Sequence, residues 1–112
     1  MRVWKKTRFN IPEKIIQRQI LGYLRKIGCY CGKTKTTGIY DARRKCFRSD
    51  PFLLRGFPDI CGFWRDKIFF IEVKSGKNPQ SEEQKTFQKY CNSSSVKYIL
   101  AYSLNDVVAE IK

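Results

Sequence analysis

The chain has 112 residues, enough for one domain with a modest core and too few for two, and its 42% hydrophobic and 14% aromatic content argues against disorder. No apolar run approaches the roughly 20 residues of a membrane span. Lys and Arg number 23 against 10 acids, a formal +13; residues 1–56 carry 15 basic and 3 acidic side chains, residues 57–112 carry 8 and 7. A basic half beside a nearly neutral one points to a surface that neutralises a polyanion. Nucleic acid is favoured over an anionic membrane, ribosome-like RNA binding or a merely solvated basic face.

Residues 1–9 are basic and patternless and read as an arm. From there Ile11, Ile15, Ile16, Ile20, Tyr23, Leu24 and Ile27 recur at helical spacing and predict one amphipathic helix. Asn10 is placed to cap it, Pro12 suits its first turn and Gly28 follows its last apolar position. Lys14, Arg18, Arg25 and Lys26 fall off the apolar stripe and are expected to face outward. Residues 29–35 read as a short strand. The stretch from Thr34 to Arg55 has no period and reads as a long basic loop; its Arg43, Arg44, Lys45 and Arg48, with Tyr40 and Phe47, are expected to contact phosphates and bases unless the loop is simply solvated.

Two strands follow, Asp59–Trp64 and Lys67–Lys74, joined by a turn at Arg65-Asp66. A helix is predicted from Ser81 to about Cys91, a strand over Val96–Tyr102, and a short amphipathic helix through Leu104, Val107, Val108 and Ile111. The order of elements implies an α/β fold with a mixed central sheet flanked by helices.

Five cysteines, Cys29, Cys31, Cys46, Cys61 and Cys91, come without a leading apolar stretch of the kind that directs secretion, which predicts an intracellular protein with reduced thiols. Cys29, Cys31 and Cys46 lack the C-x₂-C spacing of a zinc site and the chain has no histidine, so free, buried or strand-borne cysteines are expected.

The chemistry is expected at the end of strand Lys67–Lys74. Its alternation puts Ile68, Phe70, Glu72 and Lys74 on one face and Phe69, Ile71 and Val73 on the other, so the first face runs from apolar into charged. Pairing about the Arg65-Asp66 turn sets Asp59 opposite Glu72. Two facing carboxylates repel unless a cation lies between them. Mg²⁺ or Mn²⁺ would serve, as would Lys74 alone in a purely structural ion pair.

Gly56-Phe57-Pro58-Asp59-Ile60, then Ile71-Glu72-Val73-Lys74-Ser75-Gly76-Lys77, then Ser81-Glu82-Glu83-Gln84 together resemble the VRR-NUC group of PD-(D/E)xK nucleases. A bare ExK is common by chance; PD, a short spacer, EVK and S-x-x-Q in order are far more specific. The resemblance runs from Gly56 to about Tyr102 and is weak before that. It implies a restriction-endonuclease-like fold over a single domain, 1–112. It also implies a metal held by Asp59, Glu72 and the Val73 carbonyl, with Glu13 as the acid available on the first helix. Lys74 would orient the attacking water and stabilise charge on the phosphate, and Gln84 would position the water or the lysine. Apart from the resemblance, Ser75-Gly76-Lys77 is expected to turn the chain out of the strand, with Lys77 placed to touch phosphate. Two of the site residues also have structural readings: Ser81 with Gln84 is a capping box, which is compatible with a site role for Gln84, and Asn10 with Glu13 reads as a cap with Glu13 reaching back.

Stand-alone proteins of this kind resemble phage-type junction-resolving enzymes that cut branched DNA as homodimers. The resemblance therefore implies a metal-dependent, structure-selective DNA endonuclease of Holliday-junction type, in a bacterial host's cytoplasm if phage-encoded. No membrane and no small-molecule cofactor are implied. The alternatives are a nuclease for nicked, flap or linear duplex DNA, and a non-catalytic nucleic-acid-binding module.

Overall fold

The computed structural model describes residues 11–34, 39–48, 52 and 54–112, leaving out the side chains of 39–41 and 46–48. In chain order the elements are α1 (Glu13–Lys26), β1 (Tyr30–Lys33), β2 (Ile39–Asp41), β3 (Cys46–Arg48), β4 (Ile60–Trp64), β5 (Lys67–Val73), α2 (Glu82–Ser93), β6 (Lys97–Ala101) and α3 (Leu104–Val108). The fold is mixed α/β, with a four-stranded sheet ordered β1-β4-β5-β6. β1, β4 and β5 pair antiparallel, and β6 joins β5 in parallel through the α2 crossover. No described helix is long and apolar enough to cross a membrane.

Helix α1 buries a narrower stripe than its apolar spacing predicts. Ile16, Ile20 and Leu24 are in the core, whereas Ile11 and Ile15 are 41% and 47% exposed. The fully buried line is the i, i+4 row 16-20-24, with Leu21, Tyr23 and Ile27 half-buried against the same core, and Ile15 sits about 100° round the helix from Ile16. The start also differs from expectation. The Asn10 cap and the 1–9 arm lie outside the described residues, and the N-cap is Pro12, whose carbonyl accepts from Ile15 and Ile16 N–H at 3.0 and 3.2 Å. The far end closes as foreseen at Gly28. Its φ of 97° allows Cys29 N–H to reach back to the Leu24 carbonyl and Gly28 N–H to that of Arg25, a Schellman motif.

Alternation along β5 divides the molecule into two packed faces. Phe69, Ile71 and Val73 join Ile60, Ile99, Ala101 and the α1 row, with Val107 of α3 and Ile111 just beyond it closing the same core. Tyr23 fastens α1 to the chain end by donating its hydroxyl proton to the Ile111 carbonyl at 2.6 Å. On the opposite face Phe70 meets Phe57 and Phe87 edge-to-face at 5.6 and 5.1 Å, which seats α2.

The stretch read as a structureless basic loop contains a hairpin. β2 and β3 pair antiparallel as a separate two-stranded sheet, with Arg43, Arg44 and Lys45 in the turn between them. Three-residue strands are too short for a two-residue period to show in sequence.

Candidate active site

The β4–β5 hairpin places the first two carboxylates. Arg65 and Asp66 both have positive φ, 52° and 66°, the geometry of a type I′ turn, and this sets the register Ile60↔Ile71 at the hairpin's open end. One position further, Asp59 and Glu72 face each other as the turn predicts, but the ladder no longer runs backbone to backbone. The Asp59 carboxylate takes the place of a strand carbonyl, its Oδ2 accepting from Val73 N–H at 2.8 Å. Thr34, just past β1, holds this corner: its N–H donates to the Asp59 carbonyl at 2.9 Å and its hydroxyl to the carbonyl of Pro58, which is itself buried.

Glu72 is 3% exposed and is the buried charged residue of the described fold. One carboxylate oxygen, Oε2, accepts from Gln84 Nε2 at 2.9 Å and lies 4.0 Å from Lys74 Nζ. The other, Oε1, is buried with no hydrogen-bond donor among the described residues. Burial, then the charge of Asp59, pushes the Glu72 carboxyl up to about 8 against the opposing pull of Lys74. That direction weighs against a simple ion pair, because in one the lysine would prevail and hold the carboxyl low. The pair therefore has a deficit of positive charge, met either by a proton shared between the two carboxyls or by a cation.

Gln84 caps α2 as expected, and the other end of its amide meets Glu72 rather than Lys74. Its amide oxygen accepts from Ser81 N–H at 2.8 Å while Ser81 Oγ accepts from Gln84 N–H at 3.2 Å, which completes the capping box. The remaining amide N–H₂ is left to hold Glu72. The helix cap and the site are one hydrogen-bonded chain from Ser81 to Glu72. Lys74 is fixed by its backbone, donating N–H to the Ala101 carbonyl at 2.9 Å, and its side chain is only 14% exposed.

Glu13 faces the site from α1. It lines an open cleft of about 520 Å³ together with Asp59, Pro58, Phe57, Thr34, Lys33, Gln17 and Lys14, and its charge adds to the upward push on Glu72. Among the described residues, however, no three His, Cys, Asp or Glu side chains come together closely enough to ligate one ion. A divalent cation here would rest on Asp59, Glu72, the Val73 carbonyl and water. The unpartnered Oε1 and the two facing carboxylates fit such an ion.

Lys77 is exposed beyond the end of β5, and Arg43, Arg44 and Lys45 are exposed on the β2–β3 turn; the side chain of Arg48 lies outside the described residues. Cys29 and Cys91 are buried free thiols, and Cys31 and Cys61 are free on β1 and β4.

Models of protein families, curated proteins and solved structures were compared with the chain, and none matches.

Two contributors were not singled out as such in the sequence. Gly56 has φ of 75°, and a Cβ there would lie 2.5 Å from the Glu83 carbonyl and 2.7 Å from Gln84 N. Only glycine lets the Phe57-Pro58-Asp59 segment press against the first turn of α2, which is what brings Gln84 over Glu72. Tyr98, on β6 beside Phe70, accepts from Gln80 Nε2 at 3.2 Å; burial raises its hydroxyl to about 12, with Glu72 and Asp59 adding to the rise. A glycine three residues before the aspartate was the available signal for Gly56; Tyr98 had none.

Proposed function

We propose that the chain is a divalent-metal-dependent endodeoxyribonuclease of the PD-(D/E)xK type, of the VRR-NUC group, which cuts branched DNA as a homodimer. The observation that carries the reading is the convergence of Asp59, Glu72, Lys74 and Gln84 around a buried carboxylate with one oxygen lacking a donor. A fold has no structural use for that oxygen, since an unpartnered buried polar atom costs about 1–3 kcal/mol.

A bound Mg²⁺ or Mn²⁺ would act as Lewis acid on the phosphate and lower the pKa of its water. Asp59, Glu72 and the Val73 carbonyl would hold it. Lys74 orients the attacking water and offers its ammonium to the phosphoryl oxygens as negative charge grows on them. Gln84 holds one oxygen of the Glu72 carboxylate, which would leave the other free for a cation. The absence of histidine from the chain agrees with proton transfer through water and lysine. A two-fold dimer would bring two such sites to symmetric strands of a junction. The excess of basic side chains in residues 1–56 supports DNA as the substrate.

The test is cleavage of labelled four-way junction, flap, nicked and linear duplex DNA with Mg²⁺, Mn²⁺ or EDTA, comparing wild type with Asp59→Ala. Metal-dependent cutting lost in the variant is expected, with paired symmetric cuts in the junction. Binding without cleavage under every metal condition would replace the reading with a non-catalytic nucleic-acid-binding module.

A further inference from the structure

We propose that a groove between α1 and the edge strand β1 binds the phosphate backbone of the DNA strand leading to the candidate site, through Lys14, Arg18 and Lys33. The proposal rests on the nuclease reading for which strand is held, but not for the groove itself. The cleft that contains Glu13 and Asp59 is continued by a second of about 530 Å³, lined by Arg18, Leu21, Gly22, Arg25 and Lys33. Lys33 belongs to both, so the two form one path leading away from the carboxylates.

Three features give that path a ligand. Lys14, Arg18, Gly22 and Arg25 follow i, i+4, i+8, i+11 spacing and share one exposed face of α1 away from the buried row, with Leu21 at its edge packed toward the core. From Lys14 to Arg25 this stripe runs about 16 Å, the length of roughly five steps along one strand of duplex. None of Lys14, Arg18 and Lys33 forms an ion pair among the described residues, although ten acids are present in the chain. Arg25 has a different duty, donating from Nη2 to the Cys31 carbonyl at 3.1 Å and tying the helix to the strand that forms the other wall.

The third feature is Gly22. It lies in the interior of α1, where glycine costs helical stability relative to alanine, and a Cβ built on it meets nothing within 4 Å. Packing does not ask for a glycine there. Its position in the groove between Arg18 and Arg25 instead keeps the helix surface low where a phosphate backbone would lie close to it.

The experiment is equilibrium binding of a fluorescein-labelled 24-base-pair duplex, in EDTA so that no cleavage enters, over a series of NaCl concentrations. The variants are Lys14→Ala/Arg18→Ala/Lys33→Ala, a control with the same charge loss outside both clefts (Lys67→Ala/Lys89→Ala/Lys112→Ala), and Gly22→Leu. The groove triple should flatten the slope of log affinity against log salt by about 2.7, at about 0.9 per phosphate contact, and the control by less than one. Gly22→Leu should melt no lower than wild type and bind about tenfold more weakly. Equal slope changes in the two triples, or wild-type binding by a folded Gly22→Leu, would overturn the groove. Failure of the nuclease reading shows separately, as intact junction DNA when the wild type is given Mg²⁺ or Mn²⁺.

Discussion

At the Lys67 end of β5 the strand leaves a type I′ turn, and its buried side chain is the apolar Phe69. At the Val73 end the same strand buries Glu72 at 3% exposure, and the partner strand's last ladder position is replaced by the Asp59 side chain. The first end follows the local rules of a two-residue hairpin. The second buries a carboxyl group beside the half-buried Asp59 and leaves one of its oxygens without a donor among the described residues. One continuous strand thus joins a region that local rules explain to a region that they do not, and the departure marks where chemistry is expected.

Variants should separate the two ends by size of effect. Largest, Glu72→Ala and Lys74→Ala should each reduce metal-dependent cleavage by at least about 10²–10³-fold while circular dichroism and melting show a folded chain. A Lys74→Ala that fails to fold would return the lysine to a structural role. Next, Gly56→Ala should lower stability by about 2–3 kcal/mol in urea denaturation, since the added methyl must push the first turn of α2 aside at a positive φ. Its cleavage rate should fall with it as Gln84 is displaced from Glu72.

A smaller effect, of opposite sign, is expected from Glu72→Gln: about 1–2 kcal/mol of added stability in the metal-free protein at alkaline pH. The sign follows from the carboxyl's rise from 4.5 to about 8. Between those values the unfolded chain has released a proton that the folded chain keeps, so wild-type stability falls as pH climbs through the window. Urea midpoints in EDTA at pH 5 and pH 9 should therefore diverge between wild type and Glu72→Gln, and Mg²⁺ should restore only the wild type. Midpoints that stay parallel would show Glu72 to be satisfied without a cation. Smallest, Asp66→Gly should raise stability by about 0.5 kcal/mol by relieving a non-glycine residue at φ 66°, with cleavage unchanged.

Much of this was legible in the sequence, and unevenly so. The Arg65-Asp66 turn with its flanking apolar residues fixed the β4–β5 register, and from it the opposition of Asp59 and Glu72, because hairpin register follows from turn geometry. Ser81 and Gln84 announced the start of α2 through a motif contained in four residues. What could not be read depends on contacts between distant segments. The three-residue strands β2 and β3 leave no periodic trace, and the exposure of Ile11 and Ile15 is decided by how α1 rolls against the sheet. The need for glycine at position 56 comes from a helix whose first turn lies 26 residues further on. The restriction-endonuclease-like topology and the nuclease activity remain expectations of the motif, while the mixed sheet that carries it is present.

The Val73 amide, held by the Asp59 carboxylate at 2.8 Å, has a spectroscopic consequence. A backbone N–H whose acceptor is a side-chain carboxylate responds to whatever moves that side chain, which an amide in an ordinary ladder does not. The resonance of Val73 is therefore a reporter built into the strand, sensing through Asp59 whatever occupies the space beside Glu72. Titrating Mg²⁺ into a ¹⁵N-labelled sample should move this peak early, ahead of the amides at the Lys67 end.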